Sequence, residues 1–394
     1  MKTVNDFNFE NKIALVRVDF NVPLGSDFEV VDTTRIEAAK PTIIKILEDG
    51  GSCVLMSHLG RPKNKEEEYS LRHIVSKASE ILGVEVKFIE DCVGDFVKET
   101  IENCKPGEIL LLENLRYYKE EEEGNINFAQ QLSELGDIYV NDAFGTAHRA
   151  HASTCEVASF FPEKKCAGLL LTSEIENLHR VFDVNQNPVT AIIGGAKVSS
   201  KIAIIQTLLD KVDHLIIGGG MAFTFIKALG GSVGSSLVEE DKMKTALEIL
   251  DIAKEKGVQV HLPVDVIAAT SFLEFASIAT EPIEQIPDGW MGLDVGKKSN
   301  MNFSKVISQS KTILWNGPVG VFEMKPFASG TIAIGEAIGE ATKNGAFSLV
   351  GGGDSVAAVK QFNMYDKVSY VSTGGGAMLE MLEGKTLPGI GALR

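Results

Sequence analysis

Short apolar runs, each passing into a loop rich in charge or glycine and then into a helical pattern, recur along the whole chain. This alternation limits the fold more than any other feature. Residues 13–18 lead to Asp19-Phe20-Asn21-Val22-Pro23, and residues 53–56 lead to Ser57-His58-Leu59-Gly60-Arg61-Pro62. Residues 109–112 lead to Glu113-Asn114-Leu115-Arg116, and residues 138–140 to Asn141-Asp142-Ala143-Phe144-Gly145-Thr146-Ala147-His148-Arg149. Amphipathic stretches such as 34–47 and 71–82 lie between them. Apolar runs this short read as buried strands. Strands alternating with helices need right-handed crossovers, and so a parallel sheet. Ligands of such sheets collect beyond the carboxyl ends of the strands. Those ends carry Asp19, Asn21, His58, Arg61, Arg116 and Arg149, with Arg35 opening a helix close behind the first. Several arginines on one sheet edge suit a phosphate or carboxylate clamp. Taken singly, each has a plain alternative: Arg116 could pair with the glutamates at 120–123, Asp19 could cap a turn, and His58 could be a satisfied buried imidazole.

After the midpoint the loop chemistry changes from arginine to glycine. Strand-like runs precede Gly194-Gly195, Gly218-Gly219-Gly220, Asn316-Gly317-Pro318-Val319-Gly320, Gly351-Gly352-Gly353-Asp354-Ser355 and Thr373-Gly374-Gly375-Gly376. A phosphate-cradling backbone needs glycine where a Cβ would block approach, so these turns suggest a nucleotide bed on one sheet. Ala191-Ile192-Ile193-Gly194-Gly195-Ala196-Lys197-Val198-Ser199-Ser200-Lys201-Ile202 reads as strand, tight turn and helix. Its lysines, four apart, would then share a helix face toward an anion, or they are simply solvated beside a tight strand-to-helix turn. Two common templates fail. Gly-x-Gly-x-x-Gly would need glycine where Phe223 stands, and the P-loop ending at Gly384-Lys385-Thr386 would need glycine at Leu379.

The length of 394 residues suggests two or three domains. Between the halves, residues 169–184 read as a single helix, either a connector between two α/β units or another surface helix of one larger domain, ended by Asn185-Gln186-Asn187-Pro188. The net charge of −16 argues against a nucleic-acid or membrane-surface partner, which needs a basic field. The five cysteines contain no CxxC pair and suit free thiols in a reducing compartment. The opening residues 1–6 carry no apolar run of a signal peptide, so the expected location is cytoplasmic. The acidic runs 66–68 and 120–123 read as solvated, with no chemistry assigned.

The loop sequences are specific enough to carry a resemblance. Leu15-Val16-Arg17-Val18-Asp19-Phe20-Asn21-Val22-Pro23, Ser57-His58-Leu59-Gly60-Arg61-Pro62 and Asn141-Asp142-Ala143-Phe144 are similar to motifs of the phosphoglycerate kinase family. So are Gly194-Gly195-Ala196-Lys197-Val198, Trp315-Asn316-Gly317-Pro318 and Gly351-Gly352-Gly353-Asp354-Ser355. They stand in that family's order and span nearly the whole chain; residues 25–31 follow its wording less closely and lie outside the motifs.

The resemblance implies an α/β protein of two doubly wound parallel-sheet (Rossmann-like) domains joined by a hinge helix. Residues 1–170 would bind phosphoglycerate, residues 171–185 would form the interdomain helix, and residues 186–381 would bind nucleotide. Residues 382–394 would pack back on the first domain. The reaction implied is reversible phosphoryl transfer between 1,3-bisphosphoglycerate and ADP, giving 3-phosphoglycerate and ATP, with Mg²⁺, in a cytoplasmic monomer. Asp19, Phe20, Asn21, Arg35, His58, Leu59, Gly60, Arg61, Arg116 and Arg149 would hold the glycerate. Lys197, Lys201, Gly218, Gly219, Gly292, Asn316, Glu323, Gly352, Gly353, Asp354 and Ser355 would serve the nucleotide, Asp354 also the metal. Arg35, Lys197, Gly352 and Gly375 would form the catalytic set. A silent nucleotide-binding scaffold on the same fold would lack Arg35, Lys197 or Asp354, and all three are present. The failed glycine count disfavours a dehydrogenase.

Overall fold

The structure, a computed structural model, describes residues 1–182 and 187–394. The chain divides into two compact units, Met1–Glu176 with Thr386–Arg394, and Asn177–Lys385.

In the first unit six strands form one sheet: β1 (Ile13–Arg17), β2 (Ser52–Met56), β3 (Val86–Ile89), β4 (Ile109–Leu112), β5 (Ile138–Asn141) and β6 (Lys165–Ala167). Their order is β3-β4-β2-β1-β5-β6 and every pairing is parallel. β2, β4 and β5 are buried at every position, because helices cover both sheet faces. That is why these segments are continuous apolar runs rather than alternating ones. The winding direction reverses between β1 and β5, so their loops diverge and leave a crevice. Helix Thr34–Glu48 buries Ile36, Ala39, Ile43 and Ile46 against the sheet and leaves Arg35 in its first turn.

The second unit holds β7 (Val189–Ile193), β8 (His214–Ile217), β9 (Ser232–Val233), β10 (Gln259–His261), β11 (Asp265–Ala269), β12 (Ile278–Pro282), β13 (Gln285–Ile286), β14 (Met291–Val295), β15 (Thr312–Asn316), β16 (Phe347–Val350) and β17 (Tyr370–Val371). Six of them form a parallel sheet in the order β10-β8-β7-β15-β16-β17. Counted within this sheet, the order is 3-2-1-4-5-6, the doubly wound arrangement, with its switch between β7 and β15. All five glycine-bearing turns therefore follow strands of one sheet, four of them adjacent to the switch or one strand away. A three-stranded antiparallel sheet, β12-β11-β14, and the pair β13-β9 flank it. Neither was legible as a separate sheet, because β12 alternates between exposed and half-buried positions and carries little apolar signal.

Two local expectations need correction. Lys197 and Lys201 do not share a helix face: the helix starts only at Ile202, so both lysines stand in the loop before it. Ser199 fastens that loop to Glu239, donating from its backbone at 2.9 Å and its hydroxyl at 2.5 Å. The helix read over 169–184 spans Leu169–Val181; residues 183–186 lie outside the described residues. Its start is anchored in the first unit, where Leu169 N donates to Thr42 Oγ1 at 2.8 Å and Leu171 N to Asp142 Oδ1 at 3.1 Å.

Candidate active site

At the β1/β5 switch of the first unit lies a cavity of about 240 Å³ lined by Asp19, Asn21, Arg35, His58, Gly60, Arg61, Arg116, Gly145, Thr146 and Arg149. The loops after β1, β2, β4 and β5 each contribute, as parallel topology requires. Four guanidinium groups thus share one small basin in a chain of net charge −16. Arg35 donates to Asp19 Oδ1 at 3.1 Å and to Asn21 O at 2.9 Å. Asn21 Oδ1 in turn accepts from Gly60 N at 2.8 Å, tying the β1 loop to the β2 loop. Arg116 donates to Gly60 O at 2.6 Å, and its Nε stands 3.2 Å from Glu122. The acidic pairing considered for Arg116 is therefore present, beside its place in the basin.

His58 is buried, and burial together with the positive field of Arg17, Arg116, Arg35 and Arg149 holds its pKa well below the ordinary imidazole value. It is a neutral ring among cations. His151 is pushed down to about 4 by burial and by Arg116, Arg17 and Arg149. Phe20 and Leu59, which the resemblance put with the glycerate residues, turn their side chains into the core. Arg61 is exposed and Arg149 half-buried at the cavity rim.

The scaffold behind this basin was not legible. Asn114, fully buried, accepts from Leu59 N and Arg116 N and donates to Leu59 O and Tyr69 O, all between 2.7 and 3.2 Å. It locks the β4 loop to the β2 loop. The acidic run at 120–123 is not simply solvated, as its composition suggested. Glu121 is fully buried and accepts from Ser153 Oγ at 2.6 Å and Ser153 N at 3.0 Å. Burial raises its pKa, with Arg17 the chief opposing influence.

The second unit carries a cavity of about 420 Å³ that includes Gly195, Gly219, Gly292, Pro318, Glu323 and Asp354 in its lining. Its walls are largely apolar, with Phe223, Leu237, Phe272, Met291, Leu293 and Val321, a composition that suits a flat aromatic base. Of these, Leu237 and Phe272 stand in loops without the strand–glycine pattern, so the sequence offered no sign of them. At the switch, glycine is required by approach. A Cβ on Gly194 would stand 2.1 Å from Pro318 O, and one on Gly317 would stand 2.2 Å from Gly194 O. Gly194 N donates to Asn316 O at 3.0 Å and Gly195 N to Pro318 O at 3.1 Å, so the two loops zip together.

Beyond that cavity Lys201 donates to Asn316 Oδ1, Asn316 Nδ2 to Gly351 O at 2.8 Å, and Gly317 N to Ser355 Oγ at 2.6 Å. Burial lowers the pKa of Lys201, and the nearby Asp354 opposes this. Two helices start here, Gly353–Gln361 and Gly375–Leu382, and a Cβ on Gly375 would lie 2.9 Å from Gly352 Cα. Gly352, Gly353, Asp354, Ser355, Gly375, Asn316 and Lys201 thus form one polar node. Gly218 packs on Val319 rather than lining the cavity, and Lys197 is exposed in the loop before Ile202.

Comparison with known proteins extends this picture over the full length. The family model for phosphoglycerate kinase matches residues 4–385. The phosphoglycerate kinase of Porphyromonas gingivalis is 52% identical, covering all of both chains. That of Nostoc sp. is 51% identical over 98% of this chain and 96% of its own. Among solved structures, the Coxiella burnetii phosphoglycerate kinase superposes with a TM-score of 0.89 at 43% identity, over 99% of this chain and 98% of that one. The Pyrococcus horikoshii phosphoglycerate kinase gives 0.85 at 32% identity, over 100% and 98%. Strand order, the two cavities and similarity from end to end lead to one assignment: the chain belongs to the phosphoglycerate kinase family and is a phosphotransferase.

Proposed function

We propose that this chain transfers a phosphoryl group reversibly between 1,3-bisphosphoglycerate and ADP, giving 3-phosphoglycerate and ATP. The glycerate is assigned to the basin of the first unit and the nucleotide to the cavity of the second. The observation that supports this best is the segregation of chemistry: guanidinium groups surround one cavity, and glycine backbone with apolar walls surrounds the other.

In the ATP-forming direction the leaving group is a carboxylate, and in reverse the nucleophile is the same carboxylate. It is already ionised at neutral pH, so no general base is needed. His58, held neutral, is accordingly a hydrogen-bonding group rather than a base. The work left to the protein is alignment and charge compensation on the moving phosphoryl group. Arg61, Arg116 and Arg149 bind the glycerate's charges, while Arg35, oriented by Asp19 and Asn21 O, serves the transferred group from the glycerate side. Lys197, Lys201 and the helix starts at Gly353 and Gly375 serve it from the nucleotide side. Glu323, lining the nucleotide cavity, accepts from ribose hydroxyls.

Among the described residues no cluster of three or more carboxylate, His or Cys ligands could cage a metal. A lone carboxylate suits Mg²⁺ that arrives with the nucleotide, since this ion keeps water and phosphate oxygens as most of its ligands. Asp354 would hold it, and the ion would neutralise phosphate charge. Ligands bound on two units must be brought together for reaction, so the units and the helix Leu169–Val181 between them are assigned a hinge motion that also excludes water. The free cysteines, three of them buried, fit a reducing compartment, and we assign the protein as a cytoplasmic monomer.

A coupled assay for ADP formation from ATP and 3-phosphoglycerate tests the assignment. Turnover dependent on both compounds and on Mg²⁺ is expected; its absence at saturating concentrations would refute the proposal.

A further inference from the structure

Behind the basin assigned to the glycerate lies a buried polar chain that ends on His58, and its members other than His58 do not line the cavity. Arg17 closes β1 and is 1% exposed. All three of its nitrogen positions are engaged. Nε donates to Ser153 Oγ at 2.8 Å, one terminal nitrogen donates to Val18 O, and the other stands 3.3 Å from His58 Nδ1. Ser153 passes the contact on to Glu121, itself fully buried, through the bonds of its hydroxyl and backbone N–H. Arg17 lines none of the basin, whereas His58 does.

A guanidinium has only N–H donors and stays charged. It can sit against His58 Nδ1 only if that nitrogen offers its lone pair. The ring proton must then be on Nε2. The competing arrangement, Nδ1–H donating to Asp19, is ruled out by distance, since Asp19 Oδ1 is 4.0 Å from Nδ1. Among the described residues Nε2 has no protein hydrogen-bond partner, which leaves its N–H for whatever fills the basin.

We propose that Arg17 is a positioning residue: by donating to Nδ1 it fixes His58 as the neutral Nε2–H tautomer, a directed donor to an oxygen of the bound phosphoglycerate. The remaining chain, Ser153 and Glu121, neutralises and orients Arg17 so that a buried cation can do this. The low pKa of His58 agrees, since a second proton on the ring would face four guanidinium groups. A ring with the opposite tautomer would aim a lone pair at an anion. The inference rests on the assignment of this basin to phosphoglycerate only for the identity of the acceptor; the tautomer itself is a property of the free protein.

Two measurements test it. In the full-length protein with ¹⁵N-labelled histidine, long-range ¹H–¹⁵N spectra at neutral pH, with His58 identified by its loss in His58→Asn, should show neutral imidazole protonated at Nε2. A ring protonated at Nδ1, or at both nitrogens, would overturn the proposal whatever the enzyme's activity. The second uses Arg17→Met combined with Glu121→Gln, which removes both buried charges together and avoids leaving either unpaired. In that variant the tautomer signature should be lost and the KM for 3-phosphoglycerate should rise roughly tenfold, the scale of losing one oriented hydrogen bond. The KM for MgATP should stay unchanged. An unaltered tautomer and unaltered KM would remove Arg17 from this role. If the parent enzyme had no phosphoglycerate kinase activity while His58 showed Nε2–H, the substrate assignment would fail and the tautomer device would stand.

Discussion

Replacing Gly317 by alanine probes the switch point of the second unit without touching a charge. Gly317 adopts φ of +102°, a conformation that costs an alanine about 1–2 kcal/mol. Its Cβ would also stand 2.2 Å from Gly194 O and 2.4 Å from Gly194 C, both backbone atoms. Reaching even a tight 3.0 Å contact means moving the β7 and β15 loops apart by 3.0 − 2.2, or 0.8 Å. Overpacking of this kind costs roughly 1–3 kcal/mol. The movement would stretch Gly194 N to Asn316 O and Gly195 N to Pro318 O, and would shift Asn316, which holds Lys201. The total is about 2–5 kcal/mol. If about 2 kcal/mol of it falls on nucleotide binding, affinity drops roughly 30-fold. Gly345→Ala is the control, because Gly345 has φ of +100° but nothing within 4 Å of a Cβ. It should cost only the same backbone strain, about 1–2 kcal/mol, and leave MgADP affinity unchanged. Titration calorimetry with MgADP and, separately, with 3-phosphoglycerate reads both units. The expected result is a loss of MgADP affinity in Gly317→Ala, 3-phosphoglycerate affinity within about twofold of the parent, and near-parent behaviour of Gly345→Ala. MgADP affinity equal to the parent, with unchanged thermal unfolding, would refute the reasoning.

Three further outcomes are expected. Lys197→Ala should lower kcat by at least ~100-fold, the scale of removing a transition-state charge donor; near-normal turnover would take Lys197 out of the mechanism. Arg61→Ala should raise the KM for 3-phosphoglycerate about tenfold or more, as expected from losing a charge-assisted hydrogen bond, and an unchanged KM would make Arg61 structural. Asp142 is fully buried, burial pushes its pKa up to about 6 from 3.8, and its Oδ2 has no hydrogen-bond partner. The fold therefore prefers the protonated acid: that stabilisation is complete below pH 3.8 and is lost as pH rises through about 6. Two pH units correspond to roughly 3 kcal/mol. Urea unfolding across this range should show a pH slope that Asp142→Asn flattens, whereas parallel profiles would contradict it.

The strand ends could be read from the sequence because a parallel sheet buried on both faces demands unbroken apolar runs, and its ligand loops follow directly. This is why the arginine loops and glycine turns were found in their places. What escaped depends on distant partners. The helix after β7 starts at Ile202 because Glu239, forty residues on, fastens Ser199 in the loop. Glu121 reads as one of a solvated acidic run, yet Ser153 draws it inside. Arg17 looks like an ordinary strand end until Ser153 and His58 are seen on either side of it. Local periodicity carries no record of such pairings. Two apolar wall residues of the second unit's cavity were hidden for another reason: Leu237 and Phe272 stand in loops, where an exposed apolar residue gives no period to follow.

The division of labour between an arginine basin and a glycine-backed cavity can be observed directly by diffraction from crystals grown with 3-phosphoglycerate and a non-hydrolysable ATP analogue. The account predicts glycerate density among Arg35, Arg61, Arg116 and Arg149, with purine density against Gly219, Gly292 and Leu237. Phosphoglycerate bound in the second unit, or either cavity empty at saturating ligand, would contradict it.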